Sequence, residues 1–79
     1  MRPYLTKTVE KAANNANYIS SGLDARLYHV LSAYEQPPNG VGAVCNLGCN
    51  GSNITAYFYS ANGTPYTGAL TVVFVYVAI

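Results

Sequence analysis

From Tyr4 to Glu35 the apolar positions fall at Leu5, Val9, Ala12, Ala16, Ile19 and Leu23, in steps of 4, 3, 4, 3 and 4. Steps of this kind fill the a and d positions of a heptad and predict a helix with a seam for other helices. Leu27, Val30 and Tyr34 continue the seam after a second step of four, a stutter that locally unwinds a supercoil. Gly22, preceded by Ser20 and Ser21, marks an interruption there. Ser20 or Ser21 would cap a second helix starting near Leu23, with Asp24 in its first turn, where a carboxylate suits the dipole. Two alanines weaken the seam, so two readings stand: an intermolecular bundle, and an amphipathic helix or helical hairpin packed on its own domain.

After Glu35 the pattern changes. Pro37 and Pro38 stop a helix, Gln36 before them is pushed toward extended geometry, and Asn39-Gly40 signals a turn. Three segments then read as strands. Residues 41–47 alternate Val41, Ala43, Cys45 and Leu47 on one face. Residues 53–60 place Ile54, Ala56 and Phe58 on one face and Thr55, Tyr57 and Tyr59 on the other. Residues 69–78 are apolar on both faces, with Leu70, Val72, Phe74, Tyr76 and Ala78 opposite Thr71, Val73, Val75 and Val77. The last segment is too short for a helical membrane span of about 20 residues, and its β-branched content argues for a strand. Asn62-Gly63 predicts a hairpin between the last two strands, with Pro65 outside the ladder. The predicted class is α+β: a helical segment, 1–36, followed by an antiparallel meander, 37–79.

Three strands and a helix offer little cover for a strand that is apolar on both faces. Seventy-nine residues make one small domain, and small domains are stabilised by disulfides, metals or association. Association is therefore expected, through Val9, Ala16, Ile19, Leu23, Leu27 and Val30 in the helical part and Val73, Val75 and Val77 in the last strand.

Charge sharpens the division. All seven charged side chains lie in the first 35 residues, and none follows. Charged residues make up 9% of the chain, against about 25% in ordinary soluble domains. The net charge of +1 supports neither nucleic acid nor an anionic membrane as a partner. No apolar stretch of a secretory leader follows Arg2, so the Asn-x-Ser/Thr triplets at Asn50, Asn53 and Asn62 read as turns, not glycan acceptors.

Candidate chemistry is sparse. Cys45 and Cys49 lack the second pair that a metal site needs. Two readings remain for them: buried free thiols, or a disulfide if Asn46-Leu47-Gly48 closes a tight turn. The single histidine, His29, has no nucleophile or carboxylate at motif spacing, and the glycine-rich run 39–51 lacks the lysine of a phosphate loop. No cofactor and no enzymatic activity are expected. Eight tyrosines are many for this length. Tyr57, Tyr59 and Tyr66 lie among Asn, Ser and Thr, where tyrosine offers contact area and a hydroxyl that tolerates water. They read either as a receptor or glycan contact or as packing between strands and subunits.

Two stretches resemble trimeric bacteriophage fibre tips or small virion decoration proteins. "GLDARLYHVLSAYEQ" is similar to short coiled-coil stalk segments, and "NGTPYTGALTVVFVYV" to the final hairpin of a fibre tip. Together they span about 30 of the 79 residues. The resemblance implies a homotrimer with a helical stalk and a β knob, assembled in host cytoplasm and carried on the virion. Other virion proteins or a host-surface receptor would be its partners. A filament subunit donating its last strand to a neighbour, and a small glycan- or receptor-binding module, are the alternative functions.

Overall fold

The computed structural model describes residues 3–35 and 43–79. Its six strands are β1 (Leu5–Lys11), β2 (Tyr18–Asp24), β3 (Tyr28–Glu35), β4 (Val44–Asn50), β5 (Asn53–Tyr59) and β6 (Leu70–Ala78). They form two antiparallel three-stranded sheets, ordered β1-β6-β3 and β2-β5-β4. The protein is all-β, with no helix among the described residues, and this corrects the α+β expectation.

The predicted helix fails for a specific reason. A step of four keeps two residues on one face of a strand as readily as on one face of a helix. Leu5 and Val9 share a face of β1, and Ile19 belongs to β2 with Leu23. The steps of three all fall where the chain leaves or enters a strand: Val9 to Ala12, Ala16 to Ile19, Leu27 to Val30. The connections between them carry turn chemistry. Asn14 Oδ1 accepts from the Ala16 N–H at 2.8 Å, and Asn17 Nδ2 donates to the Phe58 carbonyl at 3.1 Å. The Ser20–Ser21–Gly22 stretch is a bulge, not a helix cap. Gly22 has φ of 71°, and the Ser20 and Ser21 hydroxyls accept from the N–H groups of Gly22 and Leu23.

The supposed stalk segment instead finishes β2, turns, and enters β3 in the other sheet. Leu27 N–H donates to the Asp24 carbonyl at 2.9 Å, and Arg26 N–H to Asp24 Oδ1 at 2.8 Å. The Arg26 guanidinium grips the same carboxylate, at 2.7 Å from Nη2. These bonds hold the Asp24 pKa down at about 2, against 3.8 ordinarily. A pKa depressed on folding stabilises the fold above pH 3.8, and this contribution fades as pH falls toward 2. Arg26→Ala is expected to return the Asp24 pKa toward 3.8, read by a carboxyl NMR titration.

The sheets pack face to face, with β1 against β2 and β3 against β4. β6 sends Leu70, Val72 and Phe74 inward, and β5 sends Ala56 and Phe58. With Leu23 these form the core, in which Ala56, Phe58, Val72 and Phe74 have no exposed surface. Tyr28 and Tyr76 meet edge to face at 5.3 Å beside it. Four members of the expected oligomer seam, Val9, Ile19, Leu23 and Val30, therefore lie in or against this core, where the chain's own second sheet covers them. Ala16 is half-buried in the β1–β2 connection, and Leu27 is exposed in the β2–β3 turn.

The last two expected strands coincide with β5 and β6, and the first is shifted to β4. Residues 36–42, including the Pro-Pro-Asn-Gly turn and Val41, lie outside the described residues. The division at 36/37 does not separate two parts, because each sheet combines strands from both sides of it. Nor do β5 and β6 form the expected hairpin. Asn62-Gly63 does turn the chain, with Gly63 at φ 88° and Ser60 N–H donating to the Thr64 carbonyl at 2.7 Å. Pro65 then bridges back to Tyr59 before the chain crosses to the other sheet. β6 is paired on both sides within its own chain, so it is not a strand free to be donated.

Candidate binding face

Residues directly opposite one another in an antiparallel pair point to the same side of the sheet, so the register assigns the faces. The outer face of the β2-β5-β4 sheet has Tyr57 at its centre, flanked by Tyr18 on β2 and Asn46 on β4. Tyr59 follows two residues along, opposite Val44, and Thr55 lies the other way between Ser20 and Gly48. Asn53 and Asn50 finish the face, where Ser20 Oγ donates to Asn53 Oδ1 at 2.8 Å. Two rings of this row touch: Tyr18 and Tyr57 lie 5.8 Å apart at 48°.

Gly48 sets the position of the central ring. A Cβ added at Gly48 would lie 3.0 Å from Tyr57 Cε1, so the ring rests on bare backbone. Tyr18 is half exposed, at 52%. The face carries tyrosine rings, amides and hydroxyls. Its one ionised group, Asp24 opposite Asn53 at the corner, is neutralised by Arg26.

Of the three tyrosines expected to contact a receptor, Tyr57 and Tyr59 lie on this face and Tyr66 does not. Tyr66 packs against the core, with its ring over Gly68, where an added Cβ would collide with the hydroxyl. Tyr18 was missed because its segment read as helix. The available signal was a tyrosine following Asn14, Asn15 and Asn17, a turn-forming cluster that enters a strand.

Cys45 and Cys49 are both free thiols on the inner face of β4. No tight turn closes between them, because β4 runs straight through Asn46-Leu47-Gly48. Four residues of strand separate their Cα atoms by about 13 Å, beyond the reach of a disulfide. Cys45 is half-buried, and burial pushes its thiol pKa up, whereas Cys49 is exposed. His29 lies on the outer face of the other sheet, opposite Val77. Val73, Val75 and Val77 line that same outer face; Val73 is buried between Thr8 and Tyr34, while Val75 and Val77 are half-buried.

Among the described residues, no group of three or more His, Cys, Asp or Glu side chains is placed to hold a metal ion. Among the same residues, no helix is long and apolar enough to cross a membrane. No protein family, no curated protein and no solved structure matches the chain.

Proposed function

We propose that this protein is a non-enzymatic attachment module that binds neutral carbohydrate on the outer face of the β2-β5-β4 sheet. The observation that carries this reading is the row Tyr18, Tyr57 and Tyr59, set among Asn46, Asn50, Asn53 and Ser20. A sugar ring presents C–H groups on its faces and hydroxyls around its edge. Aromatic rings take the faces, and amides and hydroxyls take the edge. Rigid tyrosines make such contacts at low entropic cost. The absence of net charge selects against anionic ligands. The resemblance of residues 62–77 to fibre tips supports a virion as the setting, with a host-surface glycan as the receptor. The helical stalk is not part of the proposal, since its described residues form the end of β2, a turn and β3.

The test is titration against a panel of neutral and acidic oligosaccharides. The wild-type protein binds a neutral member, and Tyr57→Ala and Tyr18→Ala each weaken it at least about tenfold, the loss of one or two good contacts. Their melting temperatures stay near the wild-type value. Gly48→Val, which displaces the Tyr57 ring, acts in the same direction. Unchanged affinity in both tyrosine variants, or binding of acidic sugars alone, overturns the reading.

A further inference from the structure

Among the described residues, the four outer strands, β1, β2, β3 and β4, each leave one edge without a partner in the sheet order. Three of them carry the features by which proteins keep edges from pairing. β1 turns lysines inward: Lys11 is buried, and Lys7 Nζ lies against Gly22 of β2. β2 is broken by the bulge around Gly22, and β3 by a bulge between Val30 and Ser32. β4 has none of these. It pairs with β5 in unbroken register over seven residues, and Val-Cys-Asn-Leu-Gly-Cys-Asn contains no charge and no proline.

The same seven residues are arranged symmetrically about Leu47. Laid antiparallel on a second copy with full overlap, the strand pairs Leu47 with itself, Val44 with Asn50, Asn46 with Gly48 and Cys45 with Cys49. Leu47, which lies on the inner face yet is 39% exposed, meets its own copy and loses apolar surface to it. A charge-free edge meeting itself brings no like charges together.

We propose that β4 is a homodimer interface, in which two chains join edge to edge about a two-fold axis through Leu47 and form one continuous six-stranded sheet. Both tyrosine faces then lie on the same side of that sheet, so each dimer presents two copies of the face. The dimer stands independently of the carbohydrate reading.

The cysteines report the register. Directly opposed residues have Cα atoms about 4.5–5.5 Å apart, within disulfide range. The azo oxidant diamide takes two electrons and two protons from each opposed thiol pair, becoming the hydrazine as the disulfide forms. The full chain is expected to sediment as a dimer at micromolar concentration and to give a covalent dimer with diamide. Cys45→Ala alone and Cys49→Ala alone give none, because each remaining thiol faces alanine, whereas a mixture of the two variants cross-links. Cross-linking within either single variant indicates another register or random collision and overturns the proposal, as does a mixture that fails to cross-link. Leu47→Lys places two ammonium groups across the axis and is expected to sediment as a monomer with an unchanged β circular dichroism spectrum. A wild-type monomer, or a Leu47→Lys dimer, also overturns it; should Leu47→Lys not fold, the cross-linking of the mixed variants decides.

Discussion

Phe74→Ala is expected to leave no cooperative folded state at room temperature. Phe74 sits at the middle of β6, the central strand of its sheet, between Lys7 of β1 and Ala33 of β3. Its side chain is fully buried in the cluster that holds Phe58, Ala56, Val72, Leu70 and Leu23. Truncating a buried phenylalanine costs about 3–5 kcal/mol, because the transfer free energy is lost and a cavity remains. A core of this size rarely supplies more than about 3–5 kcal/mol. Cost and reserve are thus equal, and thermal unfolding followed by circular dichroism should show no sigmoidal transition. Val77→Ala provides the contrast. Val77 lies half-buried on the outer face of the same strand, so its variant keeps the transition. A Phe74→Ala melt within a few degrees of wild type would show that the core lies elsewhere.

Lys11→Met is expected to be the next most damaging change. Lys11 is 2% exposed, and its ammonium donates to the carbonyls of Ala12 at 3.1 Å, Thr67 at 3.2 Å and Gly68 at 3.1 Å. It ties β1 to the connection that carries the chain from β5 across to β6. Methionine keeps the apolar stem and removes three charge-assisted hydrogen bonds, at a cost of about 1–3 kcal/mol. Chemical denaturation should show this loss in the midpoint with the slope unchanged. The pH dependence separates the charge from the packing. Burial lowers the Lys11 pKa from 10.5, so the folded form binds fewer protons than the unfolded chain between the lowered value and 10.5. Stability therefore rises with pH across that window, and only in the protein that keeps Lys11. The gap between wild type and Lys11→Met should widen as pH climbs toward 10.5. A gap that narrows there contradicts the account.

The sequence is most legible where a strand is long, apolar and free of helix-compatible spacing. β5 and β6 were visible in it, with the residues of each face assigned by alternation, and so were Tyr57 and Tyr59 as outward tyrosines. The first 35 residues misled because Leu5 to Val9 and Ile19 to Leu23 are steps that helix and strand both allow. What separates the two structures there is the polar residues: Thr6 and Thr8 between the apolar positions of β1, and asparagines where a helix would need its middle turns. The site was half legible for the same reason, since Tyr18 and Gly48 acquire meaning only once β2 and β4 flank β5. The inward lysine had no signal at all. A charged residue at the end of an apolar stripe reads as solvated until two carbonyls from far along the chain, Thr67 and Gly68, join that of its neighbour Ala12 around it.

The strand order has a consequence for how the chain reaches this structure. Both central strands, β5 and β6, come last, and β1 to β4 are all outer strands with no ladder to one another. During synthesis the first four segments emerge with nothing to pair with. β4 finds its partner as soon as β5 appears, but β1 waits for β6, some 60 residues behind it. Closing so long a loop makes folding slow, and it leaves unpaired strands exposed in the meantime. All seven charged side chains lie in the first 35 residues, the part that waits longest, and charge there opposes association of unpaired strands.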